Sequence, residues 1–151
     1  MVLVRRVAQR GEIRVDVRLT NAIDEGVVRR GEMEVDSVRT IATDAMVGTG
    51  AIRSCISPAI AEHLGVQVVE HFDVELANGE STTVGLTEPI RFELLGRSTM
   101  ESAIVLGNEV LLGQTILETT ELLADCANQR LIPNPAHPDG PVLKVKAVRP
   151  R

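Results

Sequence analysis

The sequence predicts a mostly β domain with one or two short helices, on three observations. First, the apolar residues are aliphatic: of 151 residues 44 % are hydrophobic, yet two are Phe and none is Trp or Tyr. Val and Ile, stiff at χ1, fit a pleated, half-buried surface. Second, Ile13-Arg14-Val15-Asp16-Val17-Arg18-Leu19 and Ile90-Arg91-Phe92-Glu93-Leu94 alternate apolar and charged residues, the period of a strand with one buried face. Third, the helix signals are short and sharply bounded. A chain of this length buries roughly 70 % of its unfolded surface around one core, so 1–151 reads as a single domain. Its core is expected at 11–135, with 136–151 as a C-terminal tether and edge strand.

Taken in order, the first strand turns Ile13, Val15, Val17 and Leu19 inward. Asp24 to Val38 is charged, contains Gly26 and Gly31, and reads as a surface excursion with a helical turn or two. Ile41 to Val47 returns to strand character and runs into Gly48-Thr49-Gly50. A helix follows: Ser57 caps it, Pro58 suits its first position, and Gly65 suits the left-handed residue beyond its end. Val74 to Val84 holds Asn78-Gly79, a strong hairpin signal. After Ile90–Leu94, Gly96-Arg97 turns the chain into Thr99–Leu106. Val110-Leu111-Leu112-Gly113 is a short apolar run, and Thr115–Leu123 reads as a short helix leading into a strand. Leu131-Ile132 is a brief strand, and 134–141, rich in proline, is a loop or tether. Val142-Leu143-Lys144-Val145-Lys146 reads as a last edge strand whose lysines discourage further pairing.

Charge and motif content exclude several functions. The net charge is −5 with both signs interspersed; without a basic stripe or stacking aromatics, nucleic acid is not an expected partner. Residues 1–11 lack the apolar core of a signal peptide, and no apolar run approaches the length of a membrane span. A soluble, cytoplasmic protein with no membrane partner is expected. Cys55 and Cys126 have no CxxC partner; a disulfide between them stays open from sequence, and two buried free thiols are the expected state. His63, His71 and His137 lack metal-ligand spacing, so neither a metal nor a cofactor is expected. Cys55 with His63 could form a nucleophile–base pair, but no third group orients the histidine.

The chemistry concentrates in Ala45-Met46-Val47-Gly48-Thr49-Gly50-Ala51, an apolar strand that ends in a glycine-flanked turn. By itself this is a strand-to-loop turn; as a phosphate loop it lacks the third glycine and the lysine. The segment resembles the apolar-apolar-Asp-Thr/Ser-Gly-Ala motif of the retropepsin-like aspartic proteases (clan AA), with Gly48 where the aspartate belongs. Four further features follow in that family's order: the capped helix Ser57–Leu64 with Gly65-Val66, the hairpin at Asn78-Gly79, Val110-Leu111-Leu112-Gly113 leading into Thr115-Ile116-Leu117, and a closing hairpin from Leu123-Ala124-Asp125 to Leu131-Ile132-Pro133. The match spans about residues 13 to 135.

The resemblance implies a closed, retropepsin-like β-barrel (the acid-protease fold) that works as a homodimer and holds a peptide or protein substrate. Each family subunit lends one aspartate to a dyad that shares a proton, one acting as base on water and the other as acid on the scissile carbonyl. The site would comprise Gly48 at the aspartate position, Thr49, Gly50 and Ala51, with the flap residues Ala77, Asn78 and Gly79 against the ligand. Thr49 is implied to hydrogen-bond across the twofold axis. With Gly48 in both subunits neither carboxylate is present, and a pseudoprotease with a surviving peptide cleft is expected. Asp44 does not substitute: four extended residues place it about 13 Å from Gly48. Two other readings stay open: an active endopeptidase, if Gly48 is an artefact or an Asp-bearing partner completes the dyad, and a non-enzymatic structural or interaction β-barrel.

Overall fold

The computed structural model describes residues 11–145. Nine strands form one sheet in the order β4-β5-β8-β3-β9-β2-β1-β6-β7, and β10 and β11 form a separate hairpin. One half of the sheet is built on β1 (Arg14–Asn21), β2 (Thr40–Val47) and β6 (Ile90–Leu94). β1 lies antiparallel between the other two, with Val17 opposite Thr43 and Leu19 opposite both Ile41 and Phe92. This register puts the alternating apolar residues on one face: Val17, Leu19, Ile41 and Phe92 are all buried. A one-residue slip would turn the charged set inward.

β9 (Val110–Leu112) runs parallel to β2, pairing Ala45 with Val110 and Val47 with Leu112. β3 (Cys55–Ile56) pairs with β9 and with β8 (Ile104–Val105), while β4 (Val68–Glu75) and β5 (Ser81–Thr87) form the long hairpin. β7 (Arg97–Glu101) completes the far edge, and β10 (Leu122–Asp125) and β11 (Arg130–Pro133) close the hairpin beneath. Among the described residues the sheet curls into a half-barrel with β4 and β7 at its edges, open where a closed barrel was expected.

Among the described residues there are three α-helices, more than the one or two short helices expected. α1 (Ala22–Arg29) begins earlier than the excursion read at Asp24. Its cap is Asn21, whose side chain accepts from Asp24 N and donates to Leu64 O at 2.8 Å. Asp24 is buried, not on a charged surface, because Arg39 clamps its carboxylate through the backbone N–H and two guanidinium nitrogens. α2 (Pro58–Leu64) forms as its punctuation predicts: Ser57 Oγ accepts from Ile60 N, and Gly65 takes φ 66°. α3 (Gln114–Thr120) packs against β7 and leads into β10.

Other differences are local. The expected strand Thr99–Leu106 breaks at Ser102-Ala103, because β7 pairs with β6 whereas β8 pairs with β3 and β5. Residues 142–145 carry no strand, and Lys146 lies outside the described residues, as do residues 1–10. The proline-rich segment is held rather than loose. The buried Arg97 donates to the carbonyls of Thr120, Glu121 and His137, and Glu121 Oε2 accepts from His137 Nδ1 and Val142 N. Both cysteines are free, but Cys55 is half-buried and Cys126 exposed on the β10–β11 turn, which corrects the expected pair of buried thiols. Among the described residues no helix is long and apolar enough to cross a membrane.

Candidate functional site

The glycine loop leaves β2 and is knitted onto the start of α3. Gly48 N donates to Leu112 O at 2.9 Å, continuing the β2–β9 ladder, and Ala51 N returns to Gly48 O at 3.0 Å. Gln114 N donates to Ala51 O and Thr115 N to Ile52 O. Side chains add three more ties: Gln114 Nε2 to Thr49 O, Thr115 Oγ1 to Ile52 O, and Gly113 N to the Oγ of fully buried Ser54. Gly113 has to be glycine, since a Cβ there would lie 2.5 Å from the Arg53 carbonyl carbon. The Leu-Leu-Gly segment therefore works as the floor on which the loop is laid.

Between this loop and the β4–β5 hairpin runs a groove of about 640 Å³. Gly50, Ala51, Ile52 and Arg53 line it from the loop, Phe72, Val74, Glu75, Leu76 and Ala77 from the hairpin, and Leu111 from β9. A smaller hollow of about 220 Å³ shares Cys55, Leu106 and Leu111 with it and reaches the 107–109 turn. The walls are otherwise apolar, and Arg53 and Glu75 are the charged residues among those described that line the main groove.

The structure brings together part of the expected set. Gly50, Ala51 and Ala77 line the groove, whereas Asn78 and Gly79 stand at the exposed hairpin tip, where Asn78 bonds Glu80 through both its amide atoms. Thr49 is exposed, and its hydroxyl has no hydrogen bond among the described residues; its carbonyl is the atom held by Gln114. Gly48 sits one step behind the groove. A Cβ on it would lie 2.5 Å from Leu111 Cδ1 and 2.8 Å from Leu111 Cγ. Leu111 thus fills the space where any side chain at position 48 would start. Sequence reading gave Leu111 no site role. The signal for the hairpin wall was present, since Phe72, Val74 and Leu76 are spaced by two residues, the period of one strand face.

The remaining polar groups are committed elsewhere. Asp44 is buried against Arg14, whose Nε donates at 2.6 Å while its other arm reaches Glu109, also at 2.6 Å. The Asp44 hydrogen bond raises the Arg14 pKa above its ordinary value, and that cation stays fixed between β1, β2 and the turn before β9. Asp125 accepts from Asn128 and Arg130 within the closing hairpin. His63 is exposed and reaches Thr40 O, not Cys55. Burial pushes the Cys55 thiol pKa up, away from the thiolate a nucleophile needs. Among the described residues no group of three or more His, Cys, Asp or Glu is placed to hold a metal ion.

The architecture has a counterpart among solved structures. The crystal structure of the retroviral protease-like domain of Ddi1 from Leishmania major is similar to this chain with a TM-score of 0.51, over 95 % of this chain and 100 % of that one. The fold is retropepsin-like. At 14 % identity the likeness speaks for the fold alone. No protein-family model matches the chain, and no curated protein matches its sequence.

Proposed function

We propose that this chain is a retropepsin-like pseudoprotease: a homodimer that holds extended peptide in the groove between the glycine loop and the β4–β5 hairpin and does not cleave it. One observation carries the reading. At the end of β2 the position of the motif aspartate holds Gly48, and Leu111 occupies the adjoining space with aliphatic atoms. The lone carboxylate among the described residues lining the groove is Glu75, on the hairpin. General acid–base hydrolysis needs a carboxylate within hydrogen-bond reach of both a water and the scissile carbonyl, and the loop supplies none.

Peptide is the favoured ligand because β4 is an edge strand lying along the groove. Half its backbone groups face away from β5 and are available to an added strand, while the apolar walls take alternate side chains. Dimer formation is supported by the loop surface. Thr49 presents an unbonded hydroxyl beside Ile52, which is 70 % exposed. A second copy docked there would give both groups partners.

The reading is tested by incubating the chain with a mixed peptide library between pH 4 and 7. Mass spectrometry should find every peptide intact, and methyl NMR should show Ala77 and Leu111 shifting as peptide is added. Cleavage by the unmodified chain overturns the assignment as a pseudoprotease. Unshifted methyl signals at millimolar peptide overturn the assignment as a peptide cleft.

A further inference from the structure

The groove is apolar apart from two exposed charges of opposite sign, one contributed by each wall: Arg53 by the loop and Glu75 by β4. Neither forms a salt bridge or side-chain hydrogen bond among the described residues. Among the described residues six of the eight other arginines are engaged: Arg14 with Asp44 and Glu109, Arg39 with Asp24, Arg91 with Glu25, Arg130 with Asp125, and Arg30 and Arg97 with carbonyls. A cation and an anion left unpaired on the two walls of one apolar cleft are complementary to a ligand that carries the opposite charges around an apolar centre.

We propose that Arg53 and Glu75 select the peptide by charge: the preferred occupant is an extended segment with an aliphatic centre, an acidic residue toward the loop and a basic residue toward the hairpin. This rests on the reading of the groove as a peptide cleft and adds its specificity. Each charge is solvated, so each contributes discrimination of a few-fold, weakened by salt. The apolar walls supply the bulk of the affinity, and a wrong charge is rejected by like-charge repulsion.

Four fluorescently labelled peptides test it without presuming a strand direction. They share a Val-Leu-Val centre and fall into three charge classes, four peptides in all: one Glu and one Lys in either order, two Lys, or two Glu. Anisotropy titrations at low salt should rank a mixed-charge peptide first for the unmodified chain, by about fivefold. Arg53→Glu leaves two acidic groups and should move the preference to the two-Lys peptide; Glu75→Lys should move it to the two-Glu peptide. Both positions are exposed, so if one variant fails to fold the other still decides. An unchanged ranking in the folded variants overturns charge selection while leaving peptide binding intact. Failure of all four peptides to bind the unmodified chain overturns the peptide cleft itself, and charge selection with it.

Discussion

Gly113 lies directly against the Ile52 carbonyl, so closely that a Cβ at position 113 would sit 2.6 Å from that oxygen. The obstructing atoms are backbone on both sides, and no rotamer change relieves them. Gly113→Ala should therefore displace the loop or strain β9. Overpacking of this kind costs about 1–3 kcal/mol, read as a drop in Tm of roughly 2–4 °C per kcal/mol in a domain of this size. Peptide binding should weaken along with stability, because Ile52 and Arg53 both line the groove. A variant with unchanged Tm would mean that the loop is not seated on this glycine.

The Asp24–Arg39 clamp gives a pH signature. Hydrogen bonds from the Arg39 side chain hold the Asp24 carboxyl below its ordinary pKa. Its folded value lies below the unfolded value of about 3.9. The stabilisation is thus fully present above that value and is lost as pH falls through the folded pKa. Asp24→Asn should destabilise the protein at pH 7 by about 1–3 kcal/mol, toward the lower end because the Arg39 side chain is 49 % exposed and screened. Urea unfolding at pH 7 and pH 3 checks this: the gap between variant and parent should narrow at the lower pH.

Arg97 predicts the behaviour of the C-terminal segment. It is 6 % exposed and bonds three carbonyls that join the end of α3 to His137. Arg97→Ala strips a charged donor from buried acceptors, at about 1–3 kcal/mol for groups left unsatisfied. Amide exchange should rise first across residues 134–142. Exchange that stays unchanged there would show the segment to be held by other contacts.

How much of this was legible follows from where the information sits. The inward faces of β1 and β6, the capped helix α2 and the turn at Gly79 depend on local periodicity and local dihedral needs, and each is written in a few adjacent residues. The buried state of Asp24 depends on Arg39, fifteen residues on, and the seat of Leu111 depends on β9 running parallel to β2. Neither pairing leaves a mark in its own segment. The split of Thr99–Leu106 has the same cause, since one apolar run serves two different strand partners. For the site, the glycine loop stood out by composition, whereas the groove walls became visible only once the hairpin was placed over it.

The central claim, that this cleft lacks a hydrolytic carboxylate of its own, is tested most directly by comparing peptidase activity of the chain and of Gly48→Asp between acidic and neutral pH. An aspartate at position 48 requires Leu111 to swing toward the groove, a flexible movement costing on the order of 1–3 kcal/mol in packing, after which two copies would share a proton between paired carboxylates. The account predicts intact peptide from the unmodified chain and pepstatin-sensitive cleavage from the folded, dimeric variant. Cleavage by the unmodified chain would contradict it.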